Sequence, residues 1–113
     1  MKFFEIGCGT GFVLQALERE TAGLELFGSE IHLEGLRYAR ERLARTELFQ
    51  MDAQHIPFRN EFGGIGLFDV LEHIADDQAV LRQVHQALVP GGGLVVTVPQ
   101  HAFLWSRVDE LSG

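Results

Sequence analysis

Three glycines, Gly7, Gly9 and Gly11, follow directly on the apolar run Lys2–Ile6 and precede an amphipathic stretch that opens at Phe12. Glycine at such a junction lets the backbone turn sharply or lie close against something else. A strand that passes through a glycine turn into a helix is the first half of a βαβ unit, and the rest of the chain repeats the alternation. "LELFGSE" (24–30) reads as a second strand and "ELFQM" (47–51) as a third. "GGIGLF" (63–68) reads as a fourth, weakened by its glycines. "LVVTVP" (94–99) is a β-branched run of the kind found in strands covered on both faces.

Between these runs the apolar spacing is helical. Residues 12–20 carry Val13, Leu14 and Leu17 on one side. Residues 32–45 carry Leu33, Leu36, Ala39 (or Arg40) and Leu43, and residues 78–89 carry Val80, Leu81, Val84 and Leu88. "PGGG" at 90–93 reads as the stop of that last helix, with proline after its end and glycine for a left-handed cap. The spacing therefore predicts an α/β domain with a doubly wound, mainly parallel sheet, since right-handed crossovers leave few other topologies.

With 113 residues there is room for one small domain. The net charge of −7 comes without any cluster of Lys or Arg, which argues against nucleic acid as a partner. No stretch approaches the length of a membrane span. Cys8 is the sole cysteine, so no internal disulfide forms and a cytoplasmic setting is the expectation.

Ligands of such sheets sit beyond the carboxyl ends of the strands, beside the first strand, where the loop "GCGTG" lies. A turn alone needs one or two glycines, so three at every second position favour close approach to a ligand. A dinucleotide fingerprint G-x-G-x-x-G would need glycine at position 12, which is Phe12. A Walker loop would need a following Gly-Lys-Ser/Thr, and no lysine follows. Neither phosphate motif fits, and an NAD-dependent oxidoreductase is correspondingly disfavoured.

"EIGCGTG", "LFGSEI", "QMDA" and "LFDVLEHI" followed by "LVPGGGLVVTVP" together resemble the class I S-adenosylmethionine-dependent methyltransferases, in their type 11, UbiE/UbiG-like branch. The resemblance spans nearly the whole chain. It implies a Rossmann-like sheet in the order 3-2-1-4-5 and S-adenosyl-L-methionine (SAM) as cofactor, with S-adenosyl-L-homocysteine as product. By the resemblance, the loop of Gly7, Cys8, Gly9 and Gly11 passes under the methionine and ribose, and Glu5 helps to place the cofactor's amino group. Glu30, 19 residues after Gly11 and next to Ile31, would accept both ribose hydroxyls. The plainer role for Glu30 is a solvated acid at a helix N-terminus. Asp52 and Ala53 would hold the adenine; the plainer role for Asp52 is to cap a turn. Phe68 and Asp69 would line the methionine end, with Glu72 and His73 at the mouth. His73 is a candidate general base, or else a residue that shapes the pocket.

His73 and Asp77 are too few for a metal, and helix capping accounts for Asp77 as well. Cys8 reads as a small packing residue rather than a nucleophile. The chain departs from the family pattern where Gly63 stands in place of an acid, where no helix precedes the first strand, and where the sequence ends soon after the fifth. The expectation is a SAM-binding core over 1–113, truncated at both ends and lacking the C-terminal antiparallel strand pair. Its fifth strand would then offer an open edge for self-association. A methyltransferase acting on a small molecule and a SAM-binding module without turnover both remain open.

Overall fold

The computed structural model describes residues 1–68, 70–98 and 101–106. The elements are β1 (Lys2–Ile6), α1 (Phe12–Glu20), β2 (Glu25–Glu30), α2 (Leu33–Arg42), β3 (Glu47–Gln50), β4 (Phe62–Phe68), a single 3₁₀ turn (Leu71–His73), α3 (Asp77–Ala87), β5 (Leu88–Val98) and β6 (His101–Ser106). They form one sheet in the order β3-β2-β1-β4-β5-β6. The first five strands are parallel, as the alternation of strand and helix predicts.

Each sheet face has its own core because side chains alternate along a strand. Phe4 and Ile6 of β1, Ile65 and Leu67 of β4, and Leu94 and Val96 of β5 turn to one side and pack with Val80, Val84 and Ala87 of α3. Cys8, Leu14, Leu26 and Ala39 form the second core, under α1 and α2. The close seat of α1 depends on Gly28, where a Cβ would stand 2.6 Å from Leu14 Cδ1 and 2.9 Å from Leu48 Cδ2. Leu33, placed on the apolar stripe by spacing, is instead 65 % exposed, and α2 buries only Leu36 and Ala39 fully.

Three expectations change. The helix before "PGGG" ends at Ala87, and β5 starts at once with Leu88, which pairs with Phe62. The glycines belong to an irregularity inside β5, between the Phe62–Leu88 and Gly64–Gly93 pairs. Gly91 takes the left-handed conformation there, and a Cβ on Gly92 would stand 2.9 Å from the Val89 carbonyl oxygen. The strand "LVVTVP" is not covered equally on both faces: Leu94 and Val96 are buried, whereas Val95 and Thr97 are half-buried. Finally, the outer edge of β5 is not open. β6 pairs with it antiparallel from Val98–His101 to Gly93–Ser106. The strand over residues 101–106 satisfies backbone groups of β5 that would otherwise lie open. Self-association through an exposed fifth strand loses its basis, because β6 follows β5 directly and covers that edge.

Glu18 ties α1 to the connection between α2 and β3. Its carboxylate accepts from the backbone N–H of Ala44, Arg45 and Thr46 at 2.8–3.1 Å and from the Thr46 hydroxyl at 2.8 Å. Arg45 in turn donates to the carbonyl oxygens of Leu24 and Thr21. Burial alone would raise the Glu18 carboxyl, but these donors outweigh it and hold it below 4.5. Glu18→Ala is expected to cost about 1–2 kcal/mol, charge-assisted bonds discounted for partial exposure. Because the folded value is lowered, that cost is present above pH 4.5 and shrinks as pH falls through it. Urea titrations of both chains at pH 7 and pH 3.5 check this; equal midpoints at pH 7 would remove Glu18 from the account of stability.

Candidate functional site

The carboxyl ends of β1, β2, β3 and β4 converge on one cavity of about 390 Å³. Of the residues singled out by sequence, Gly7, Glu30, Ile31, Asp52, Ala53, Phe68 and His73 line it. Glu5, Cys8, Gly9 and Gly11 lie beside it without lining it. Asp69 falls outside the described residues. Ile6, His32, Met51, Gln54, Val70 and Ile74 complete the wall and were not singled out. Most of them are immediate neighbours of residues that were, which is the signal that could have found them.

The glycine loop is built differently from the expectation that a turn uses only one or two glycines. Gly7, Gly9 and Gly11 all have positive φ, at 73°, 57° and 91°, so the turn itself uses all three. At Gly7 a Cβ would also stand 2.8 Å from Val70, and at Gly11 it would stand 3.1 Å from Leu43 and 3.2 Å from Ala39 of α2. Only at Gly9 would it meet nothing within 4 Å. Phe12, where the dinucleotide motif wants its third glycine, lies exposed under the Arg42 guanidinium at 3.7 Å, and Arg42 Nε donates to the Thr10 carbonyl at 3.0 Å. Cys8 points into the core, and burial, with Glu5 and Glu30 adding, pushes its thiol up to about 12. It is inert packing, as its setting in sequence suggests.

Glu30 is not the solvated helix-end acid of the plainer reading. It is 8 % exposed, and its two oxygens accept from Gly9 N–H and His32 N–H, each at 3.0 Å. One carboxylate thus joins the glycine loop to the start of α2, and each oxygen keeps a further lone pair for a donor in the cavity. Asp52 does cap a turn: Oδ1 accepts from Gln54 N–H at 2.9 Å, while the residue also lines the cavity. The segment carrying Asp52 and Ala53 is fixed from α3. Gln83 accepts from Ile56 N–H at 2.7 Å and donates to the Gln54 carbonyl at 2.7 Å. Phe58 inserts among Phe4, Phe49 and Phe62 below. Nothing in the sequence marks Gln83, whose partners are 27 and 29 residues away.

His73 stands at the mouth with its side chain 77 % exposed and Nε2 3.5 Å from Glu72 Oε1. It belongs to the 3₁₀ turn, whereas Asp77 opens α3, so the two do not share one helix. The cap of α3 is Asp76, which accepts from Ala79 N–H at 3.0 Å; the capping role expected of Asp77 falls one residue earlier.

A parallel α/β sheet with a positive-φ glycine loop and a buried acid at the end of the second strand, both at the switch point, defines a Rossmann-like nucleoside-binding domain. The type 11 methyltransferase domain matches residues 4–96, and the chain belongs to this family of class I S-adenosylmethionine-dependent methyltransferases. Methyltransferase GfsG of Streptomyces halstedii is 29 % identical, over 84 % of this chain and 36 % of its own length. A ubiquinone biosynthesis O-methyltransferase of Psychrobacter arcticus is 27 % identical, over 85 % and 40 %. The mitochondrial arginine-hydroxylase NDUFAF5 of Mus musculus is 32 % identical, over 80 % and 26 %. Phosphoethanolamine N-methyltransferase 2 of Haemonchus contortus, solved with S-adenosyl-L-methionine, superposes with a TM-score of 0.79 at 27 % identity, over 87 % of this chain and 24 % of that one. The chain thus spans well under half the length of these relatives.

Proposed function

We propose that residues 1–113 are the SAM-binding core of a methyltransferase that acts on a small molecule in the cytoplasm, with the cavity at the strand ends as its cofactor site. The observation that carries this reading is Glu30, buried, fixed by two backbone donors and open to a cavity of ligand size. Its spare lone pairs suit the two hydroxyls of a ribose. Asp52 and the Ala53 backbone suit a purine edge, and Phe68 supplies an apolar wall. When bound, the cofactor supplies a methyl group activated on a sulfonium. The chain's part is to hold that group in line and to exclude water, and positioning supplies much of the acceleration in such a displacement. His73, exposed at the mouth, is placed to take a proton from an acceptor hydroxyl or thiol, or to shape the entrance.

The relatives include a hydroxylase as well as methyltransferases, so binding and turnover are tested separately. Thermal shift with SAM, S-adenosyl-L-homocysteine and NAD tests the site; stabilisation by NAD alone overturns it. Methyl transfer to a panel of phenol, thiol and amine acceptors then separates an enzyme from a binding module without turnover.

Gly9 gives a steric check. Its Cβ direction is open, and a β-branched residue at φ 57° is strained by about 1–2 kcal/mol. Gly9→Val is expected to stay folded and to bind SAM at least tenfold more weakly. Unchanged affinity would reduce the loop to a turn.

A further inference from the structure

Among the described residues, Glu5 is a buried acid with one carboxyl oxygen left without a partner. It is 3 % exposed, and its Oε1 has no hydrogen-bond partner among the described residues. Phe4 and Ile6 on either side face the α3 core, so Glu5 faces the opposite side, beneath the glycine loop. The core on that side holds Leu14 of α1, Ala39 of α2 and the neutral Cys8 thiol. Among the described residues, the charged group whose field reaches Glu5 is another carboxylate, Glu30 of the adjacent strand. Two like charges here, without a counter-ion, are strongly disfavoured. Burial first, and Glu30 second, push the Glu5 carboxyl up to about 8, so in the free chain at neutral pH it carries a proton.

We propose that Glu5 exchanges this proton for the positive charge of the ligand: as a cationic group settles on the glycine loop, the carboxyl proton leaves to solvent and the carboxylate becomes the buried counter-charge. The inference rests on the SAM reading of the cavity. Glu5 does not itself line the cavity, and direct contact is not required, because a charge acts over a distance where the dielectric is low. Binding of a cationic ligand then releases a proton, and its affinity rises with pH by up to about tenfold per unit. A neutral nucleoside gains nothing.

Calorimetry of the full chain with SAM and with adenosine, between pH 5.5 and 7 in two buffers of different ionisation enthalpy, counts the protons. In that range an ordinary α-amino group, with a pKa near 7.7–8.0, remains protonated. The expected result is release of about one proton per SAM and none per adenosine. In Glu5→Gln the release is lost and SAM affinity no longer rises with pH. His32 and His73 also line the cavity, but any protons they exchange persist in Glu5→Gln, so the difference between the chains belongs to Glu5. Equal release by wild type and Glu5→Gln, with SAM still bound, overturns the inference and leaves the site reading intact. Absence of SAM binding to the wild type overturns the site reading and the inference together. Where Glu5→Gln fails to fold, the ligand contrast decides: equal release by SAM and adenosine overturns it.

Discussion

Free of ligand, this chain is expected to lose stability as pH rises from about 5 to about 8, on the order of 4 kcal/mol across the window. The cause is Glu5, whose carboxyl is raised from 4.5 to about 8 by burial and by Glu30. Below pH 4.5 the carboxyl is protonated in both the folded and the unfolded chain, and the burial of a neutral acid is at its full advantage. Between the two values the folded chain keeps a proton that the unfolded chain has released, so stability falls by about 1.4 kcal/mol per pH unit. Above pH 8 both states are ionised and the loss is complete. Glu18 works in the opposite sense but only below pH 4.5, and Cys8 only above 9, so neither masks the window. For a domain of this size the effect corresponds to a fall in Tm on the order of 10 °C or more. Melting curves at half-unit steps from pH 5 to 8.5 check it, and Glu5→Gln should flatten the profile. A wild-type Tm that holds constant across the window would mean that Glu5 ionises freely, and hence that a partner for its Oε1 exists.

What could be read in the sequence follows the range of the forces involved. β1, α1 and the boundaries of β2 and β3 were legible because apolar runs and helical spacing are local signals, and the glycine loop marked the switch point. Glu30, Asp52 and Ala53 were legible as cavity residues because a parallel sheet brings its strand ends together, whatever the ligand. The misreadings are non-local. "PGGG" has the chemistry of a helix stop, but the pairs with β4 on either side, Phe62–Leu88 and Gly64–Gly93, draw it into β5 as an irregularity. The edge of β5 was expected to be open, and its closure by 101–106 depends on pairing between the two strands rather than on a local pattern. Gln83 looks like any polar residue on an exposed helix until the loop 54–56 is laid beside it. The three glycines illustrate a subtler limit. Their pattern pointed to the strand end beside the cavity, yet the physical demand they meet is backbone conformation at all three and packing at two.

Glu30→Ala is expected to weaken SAM by roughly 10- to 100-fold, the 1–3 kcal/mol of charge-assisted hydrogen bonds left unmade. That loss alone does not assign Glu30 to a ribose. The same carboxylate holds Gly9 N–H and His32 N–H, so removing it also loosens the loop and the start of α2, and a looser cavity binds any ligand less well. The two roles separate when protein and ligand are trimmed together, because interacting groups are non-additive and independent ones are additive. Adenosine and 2′-deoxyadenosine differ in one hydroxyl. If Glu30 accepts from that hydroxyl, the wild-type chain prefers adenosine by roughly fivefold or more, and Glu30→Ala erases the preference. If Glu30 only braces the loop, the substitution weakens both nucleosides by the same factor and leaves their ratio untouched. Glu30→Gln sharpens the comparison. Its amide keeps one acceptor but sets an NH₂ against one of the two backbone N–H groups, so the brace is damaged while a hydroxyl acceptor survives in part. A preference for adenosine that persists in Glu30→Ala would take the ribose away from this residue, and Asp52, which with Glu30 supplies a carboxylate among the described cavity residues, would be the next acceptor to substitute.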